Sequence, residues 1–218
     1  MTAALYEDDE ILVIDKPAGL ASQPGEGVRI SLIEAVERDF GFRPFPVHRL
    51  DKETSGCILV ARTREAAARW SRLVESRELA KTYRALVRGR PEGARGRFDE
   101  AVPTRTGPKE ASTSWRLLGA FAEGAGGPYS YLELELGTGR THQIRLHLAG
   151  RALPILGDDR HGDFALNKRL RRSSGLRRLM LHARSLRLPG GLVVTSPMPE
   201  RFGAFLALFP GAPDPETP

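Results

Sequence analysis

The chain has 218 residues, of which 40% are hydrophobic, and this is enough to bury one substantial core without metals or disulfides. Its single cysteine, Cys57, excludes an intrachain disulfide, and charged residues interrupt every apolar run well before the roughly 18 residues of a membrane-spanning helix. The N-terminus lacks the basic and apolar regions of a signal peptide. We therefore expect a soluble, cytoplasmic protein.

The formal net charge is +6, and arginine is strongly preferred to lysine. A basic balance favours a polyanionic partner, although arginine enrichment also follows from a GC-rich genome. The distribution is more informative, because residues 164–199 contain no acidic residue. The basic residues of this stretch are Lys168, Arg169, Arg171, Arg172, Arg177, Arg178, Arg184 and Arg187. They indicate either a nucleic-acid contact or a solvated loop and helix face.

Apolar residues with a period of two predict strands, and a few longer patterns with a helical period predict helices. The predicted strands cover residues 10–15, 56–61, 81–88, 112–118, 129–136, 186–188 and 193–195. The predicted helices cover residues 31–40, 64–76, 141–149 and 199–209. Ser31 and Glu34 have the spacing of a capping box, and Thr141 is placed to cap the third helix. Many strands without regular βαβ alternation predict an α+β fold on a mixed, largely antiparallel sheet.

The segment Val47–Gly56 contains eight polar or small residues between two apolar runs. Loops that a rigid sheet holds in place often carry catalytic groups, and Asp51 is the candidate carboxylate. The other interpretation is a charged loop in which Asp51 caps the next turn. A kinase catalytic loop is excluded, because no glycine-rich phosphate loop precedes the segment and no Asp-Phe-Gly follows it.

A second dense segment is Gly137–Leu148, which contains His142, Arg145 and His147. The two histidines are five residues apart and would not face the same side of a helix or a strand, so no metal site is expected. Arg145 could form a bidentate pair with a carboxylate from another loop, or could be an ordinary surface arginine. The segment lacks the third glycine of a dinucleotide fingerprint, and no Ser-His-Asp or Cys-His arrangement is visible.

Taken together, these segments resemble the RluA-type pseudouridine synthases. His48–Gly56, with the sequence His-Arg-Leu-Asp-Lys-Glu-Thr-Ser-Gly, is similar to the family signature. The other similar blocks follow in the family's order and are Ile11–Leu20, Lys81–Gly89, Gly139–His147, Pro154–Asp158 and Leu179–Ala183. The chain departs from the family at Ala21-Ser22-Gln23, where relatives usually carry apolar residues and a histidine.

The resemblance implies one catalytic domain over residues 1–210, with a disordered tail over residues 211–218 and without an N-terminal S4 RNA-binding domain. It implies a mixed sheet in two lobes with an RNA-binding cleft across it. The expected reaction detaches a uracil base at its N-glycosidic bond, rotates the base and rejoins it through carbon 5. The partner would be a stem-loop of ribosomal or transfer RNA, the enzyme a monomer, and no cofactor, metal or membrane would be needed.

The resemblance also assigns roles to single residues. Asp51 would act at the ribose as nucleophile or base, and Arg145 would pair with Asp51 and keep it ionised. Tyr83 would stack on the uracil and help to remove the carbon 5 proton, and Arg49 would fill the space that the flipped-out nucleotide leaves. Further RNA contacts would come from His48, Arg140, Lys168, Arg169, Arg171 and Arg172.

Two other functions remain open from the sequence. A non-catalytic RNA-binding or RNA-remodelling protein on the same fold explains the charge equally well, but not the combination of Asp51, Tyr83 and Arg145. An unrelated hydrolase would pair Asp51 with a histidine, and no second carboxylate or ordered triad supports it. Tyr83 itself shares a strand face with Ala85 and Val87, which is also typical of plain core.

Overall fold

The structure is a computed structural model that describes residues 2–124 and 127–217. Its strands are, in chain order, β1 (Ala3–Glu7), β2 (Ile11–Lys16), β3 (Phe45–Pro46), β4 (Ser55–Ala61), β5 (Ala80–Arg88), β6 (Arg95–Phe98), β7 (Val102–Thr104), β8 (Gly107–Lys109), β9 (Thr113–Gly124), β10 (Gly127–Leu136), β11 (Leu181–Arg187) and β12 (Val193–Thr195). Its helices are α1 (Leu32–Phe40), α2 (Arg64–Glu75), α3 (Gln143–Gly150), α4 (Phe164–Ser173) and α5 (Glu200–Leu206). The chain forms two compact units, of which the first contains residues 1–81 and 183–197 and the second contains residues 82–182 and 198–218.

In the first unit the strands follow the order β1-β2-β4-β11, with β3 paired to β4 and β12 paired to β11. β1, β2 and β4 pair antiparallel, and every residue of β4 is buried. Ile11, Leu59, Leu186 and Trp70 of α2 belong to one apolar core cluster. This core explains why the predicted strands at residues 10–15 and 56–61 are almost continuously apolar.

In the second unit the strands follow the order β5-β10-β9-β6, and β7 and β8 form a separate hairpin. β10 pairs antiparallel with β5 and with β9, and β9 pairs antiparallel with β6. Five ring pairs among Phe121, Tyr129, Phe205 and Phe209 have centroids 5.2 to 6.1 Å apart, which packs α5 and Phe209 beyond its end against β9 and β10. The fold is therefore mixed α+β with largely antiparallel pairing, as the sequence predicts.

The two predicted helix caps have different outcomes. Ser31 accepts a hydrogen bond from the Glu34 amide, and the Glu34 carboxylate accepts one from the Ser31 amide, so the capping box is confirmed. The prediction for Thr141 is wrong, because α3 is capped by His142, which has a left-handed φ of 55° and makes no side-chain cap bond. Helix α4 is an addition that the sequence patterns did not predict.

The C-terminal residues are hydrogen-bonded within the second unit, whereas the sequence predicts a disordered tail there. The Tyr131 hydroxyl donates to the Pro215 carbonyl at 2.7 Å, and the Met198 amide donates to the Glu216 carboxylate at 3.0 Å. None of the helices in the described part of the chain is long and apolar enough to cross a membrane. A single catalytic domain over residues 1–210 stays a prediction.

Candidate active site

Residues 48–54 connect β3 to β4 and form what we call the Asp51 loop. Ser22 holds the backbone of this loop at Leu50 from both sides. Its hydroxyl donates to the Leu50 carbonyl at 2.7 Å and accepts from the Leu50 amide at 3.0 Å. Ser22 is buried, so these two bonds are shielded from water. The serine lies in the short segment that departs from the family pattern, and here it fixes the residue next to Asp51.

Lys16 ties the same loop to the turn that follows β2. The lysine is fully buried, and its ammonium group donates to the carbonyls of Pro17, Leu20 and Lys52 at 2.8 to 3.1 Å. The Lys52 carbonyl also accepts from the Gly19 amide at 2.8 Å. A buried ammonium group satisfies three carbonyls at once because it has three donors and no acceptor. The sequence analysis did not single out Lys16, although it lies in the block Ile11–Leu20, because a lysine beside a turn is usually solvated.

His48 begins the loop and is used inside the first unit. Its Nε2 accepts a hydrogen bond from the Leu59 amide at 3.1 Å, which places any ring proton of the neutral form on Nδ1. Burial lowers the pKa of His48 to about 3, and the positive charge of Lys81 lowers it further. His48 is therefore neutral at physiological pH. A direct contact between His48 and RNA stays a prediction, and the neutral, inward-bonded ring disfavours it.

The end of the loop is fixed by Gly56. Its φ is +108°, and a Cβ atom added there would lie 2.1 Å from the Ala183 carbonyl oxygen of β11. Only glycine fits this position, both for its backbone conformation and for its close approach to β11. Thr54, two residues before Gly56, is buried, and its amide donates to the Asp51 carbonyl at 3.1 Å, which closes a turn that begins at Asp51.

The side chains of Arg49 and Asp51 are more accessible to solvent than the buried groups that hold the loop backbone. Asp51 is partly exposed, and Arg49 is exposed. The Arg49 guanidinium makes no hydrogen bond or ion pair with any other residue in the described ranges. The backbone of the loop is therefore held by buried groups, while the Asp51 carboxylate is partly exposed and the Arg49 guanidinium is exposed. Such an arrangement can offer a pre-positioned carboxylate to a substrate.

Arg145 in α3 forms a buried bidentate ion pair with Asp158. Its Nε and Nη2 lie 2.8 and 2.7 Å from the two Asp158 carboxylate oxygens, and the two side chains are 4% and 1% exposed. Burial by itself would raise the pKa of Asp158, but the hydrogen bonds from Arg145 and from the amides of His161 and Arg160 outweigh burial and lower that pKa. Asp158 was not singled out from the sequence, because a lone carboxylate after an apolar run is typical of a turn.

Arg145 and Asp51 lie in different units. The pairing of these two residues that the resemblance implies stays a prediction. Tyr83 lies in β5 opposite Leu134 of β10 and is only 5% exposed. Ala85, on the same strand face, is fully buried. This burial fits both a core tyrosine and a ring that lines a water-poor site.

The remaining histidines and the cysteine are bonded or buried within their units. His147 uses both ring nitrogens, toward the Thr113 hydroxyl and the Glu100 carbonyl, each at 2.9 Å. His142 and His161 share one hydrogen bond of 2.9 Å. Burial raises the pKa of the Cys57 thiol to about 12, so it is inert as a nucleophile. Within residues 2–124 and 127–217, no group of three or more histidine, cysteine or acidic side chains could hold a metal.

The predicted RNA-contacting cations lie on the surface of the second unit. Lys168, Arg169, Arg171 and Arg172 are all exposed on α4. Arg140 is also exposed, and its Nε makes one long contact of 3.4 Å with the Glu110 carbonyl. These positions are accessible to a polyanion, and their contacts with RNA stay predictions.

Comparison with known proteins gives concordant matches. The family model described as RNA pseudouridylate synthase matches residues 10–150. An uncharacterised RNA pseudouridine synthase of Zymomonas mobilis is 34% identical over 91% of this chain and 94% of that protein. The ribosomal large subunit pseudouridine synthase D of Xanthomonas campestris is 36% identical over 84% of this chain and 60% of that protein. The chain spans 55% to 68% of the length of four curated relatives that it matches.

Among solved structures, human RNA pseudouridylate synthase domain containing 1 is similar, with a TM-score of 0.75 and 27% sequence identity. The match covers 91% of this chain and 84% of the human chain. Four of the blocks that carry the sequence resemblance, from Ile11–Leu20 to Gly139–His147, lie within the region that the family model matches, and the blocks Pro154–Asp158 and Leu179–Ala183 lie beyond it.

Proposed function

The chain belongs to the RNA pseudouridylate synthase family, and we propose that it isomerises specific uridines to pseudouridine in structured RNA. The observation that carries the proposal is the Asp51 loop, whose backbone is fixed by buried groups while the Asp51 side chain is partly exposed. An isomerase of this kind breaks the bond from N1 to the ribose, forms one from carbon 5, loses the carbon 5 proton and protonates N1. The net composition is unchanged, so no redox partner or group donor is required.

In this proposal Asp51 acts at the ribose, as nucleophile or as base. A carboxylate suits either role only when it is ionised and held in place, and the bonds from Ser22 and Lys16 to the flanking backbone provide the placement. Arg49 enters the space left in the RNA when the target nucleotide is flipped out. The exposure of its guanidinium and the lack of an ion pair within the described chain support that role.

The proposed substrates are stem-loops of ribosomal RNA or transfer RNA. Relatives named for each of these substrates match this chain, among them a tRNA pseudouridine synthase C of Haemophilus ducreyi. A cytoplasmic location and action as a monomer are parts of the same proposal. The exposed cations of α4 would contact phosphates and so contribute affinity without sequence choice.

The test is pseudouridine detection by carbodiimide treatment and primer extension, on ribosomal and transfer RNA incubated with the protein. We expect new extension stops with wild type and a loss of at least about a thousandfold in rate with Asp51→Asn, because the amide is neither nucleophilic nor basic. Folding and RNA affinity should be unchanged. The matched control is Asp9→Asn, the same chemical change at an exposed turn of the first unit.

Stops that persist at the wild-type rate in Asp51→Asn would remove Asp51 from the mechanism. RNA that is bound by wild type but never modified would favour the non-catalytic binding protein that the sequence left open.

Tyr83→Phe distinguishes a catalytic tyrosine from a core tyrosine, because it deletes only the hydroxyl and keeps the ring. If the hydroxyl helps to remove the carbon 5 proton, turnover should collapse while RNA binding survives, and single-turnover rates with 5-deuterated uridine should report the step. The matched control is Tyr131→Phe, which removes a buried hydroxyl that donates to Pro215 in the same unit. That control should retain turnover and lose only about 1 kcal/mol of stability. Wild-type turnover in Tyr83→Phe would assign Tyr83 to the core.

A further inference from the structure

Helix α4 is firmly anchored along one side. Its cap residue Asp163 accepts from the Leu166 amide at 2.8 Å and pairs with Arg88 at 2.7 Å. Asn167 bridges the Gly157 amide and the Asp158 carbonyl at 2.9 and 2.8 Å. Leu166 is fully buried and Leu170 nearly so. The position and rotation of the helix are therefore fixed by its inner side.

The opposite side carries an exposed aromatic ring. Phe164, the first residue of α4, is 62% exposed, more than any other large apolar side chain of the described residues. Successive residues of an α-helix are about 100° apart around its axis, so Phe164, Lys168, Arg171 and Arg172 lie within about 100° of one another. This sector points away from Leu166 and Leu170. We call it the outer face of α4.

The three cations of the outer face are not used by the protein itself. In the part of the chain that the structure describes, the side chains of Lys168, Arg171 and Arg172 make no hydrogen bond and no ion pair. Some other surface arginines are paired, for example Arg88 with Asp163 and Arg116 with Glu133. An exposed ring beside unpaired cations has the composition of a surface that stacks bases and neutralises phosphates.

We propose that the outer face of α4 binds an unpaired nucleotide of the RNA, with the base stacked on Phe164 and the neighbouring phosphates on Lys168, Arg171 and Arg172. The inference rests on the proposed function, since it takes RNA as the substrate. The inference specifies the kind of RNA that is bound. A ring can stack only on a base that has left its helix, whereas cations alone bind paired and unpaired RNA alike. The preferred RNA would carry single-stranded nucleotides beside a stem.

Affinity for two hairpin RNAs tests the proposal: both have the same stem, closed by a compact tetraloop whose bases stay stacked on it, but one ends blunt and the other carries a single-stranded oligoadenosine extension. Adenosine stacks well and cannot be pseudouridylated, so the measurement reports binding alone. We expect Phe164→Leu to weaken binding of the extended hairpin about tenfold and to leave the blunt hairpin unchanged. Phe164→Tyr, which keeps an aromatic ring, should bind both hairpins as wild type does.

The matched control is Leu208→Ala, which removes an exposed apolar side chain of the same unit at 53% exposure. It should change neither affinity. Equal binding of the extended hairpin by wild type and Phe164→Leu would overturn the proposal, as would an equal loss in Phe164→Leu and Phe164→Tyr. A concentration-dependent dimer in sedimentation that Phe164→Leu abolishes would also overturn it, because a second copy would then cover the ring.

The failure of this inference is separable from the failure of the proposed function. A wild-type protein that leaves no carbodiimide stop in any RNA refutes the isomerase, whatever the two hairpins show. A wild-type protein that makes pseudouridine but does not distinguish Phe164 from Leu on the extended hairpin refutes only the stacking site.

Discussion

The Asp51 loop and helix α4 are both dense in polar residues, but the structure uses those residues in opposite ways. Around the loop, Lys16, Ser22 and His48 each direct their polar atoms inward to backbone groups. On α4, Lys168 and Arg171 direct theirs to solvent, and neither makes an ion pair within the described chain. The polar groups around the loop stabilise the backbone beside Asp51, whereas the cations of α4 are accessible to a ligand. The two regions therefore differ in whether their polar side chains bond to the protein's own backbone or face solvent.

The Arg145–Asp158 pair resembles the groups around the Asp51 loop, because its polar atoms are buried and bonded inside the protein. Breaking this pair should have the largest effect on stability. Arg145→Met should lower the free energy of unfolding by about 3–5 kcal/mol, because it leaves the buried Asp158 carboxylate without its cation. Urea unfolding measures the loss. The matched control is Arg151→Met, which breaks the surface pair of Arg151 with Glu100, and it should change stability by less than about 1 kcal/mol.

The pH dependence of the same variant identifies the cause. In wild type the pKa of Asp158 is lowered, so its contribution is complete above the unfolded value of about 3.9 and is lost as the pH falls through the folded value. In Arg145→Met, burial raises that pKa, so the carboxyl takes up a proton on acidification and the penalty shrinks. The stability gap should be widest near neutral pH and narrow below about pH 4. A gap that does not vary with pH would mean that lost packing, rather than charge, causes it.

Lys16→Met tests the rigid side of the comparison with a somewhat smaller effect. Methionine fills a similar volume but removes the buried ammonium group that donates to three carbonyls, so we expect a loss of about 2–3 kcal/mol in urea unfolding. Turnover should fall as well, because Lys52, one residue from Asp51, loses a bond at its carbonyl. Lys52→Met is the matched control, since its exposed side chain lies in the same loop and makes no bond within the described residues. Equal effects of the two variants would show that Lys16 does not support the loop.

The sequence predicted most of what local rules control. The Ser31–Glu34 capping box and the strands at residues 10–15 and 56–61 follow from spacing and periodicity, which act within a few residues. Thr141 fails as a cap because the chain enters α3 through a left-handed His142, a conformation that no local pattern indicates. Helix α4 was missed because only Leu166 and Leu170 are buried along it, too few for a clear period.

The sequence singled out Asp51 and Arg145 because they lie in dense polar segments, and their catalytic roles stay predictions. It did not identify the residues that hold them in place. The bonds of Lys16 to Lys52 and of Ser22 to Leu50 join residues 28 to 36 positions apart, and the Asp158 partner of Arg145 lies 13 positions away. Such pairs depend on the tertiary fold, so residue type and spacing alone cannot identify them.

The smallest expected effect concerns the surface side of the comparison. Changing both Arg171 and Arg172 to Gln should leave stability within about 0.5 kcal/mol, because surface side chains without partners contribute little to folding. RNA affinity at low salt should fall, and the salt dependence of log K should weaken by about one to two units, since each lost phosphate contact releases roughly one counterion fewer. A filter-binding titration over a range of salt concentrations measures both quantities. The control changes Arg64 and Arg72 of α2 to Gln, which lowers the net charge by the same two units in the other compact unit. If the two double variants lose the same slope, net charge alone draws the RNA, and α4 is a solvated face. If only the α4 variant loses slope, Arg171 and Arg172 of α4 are among the cations that bind the phosphates.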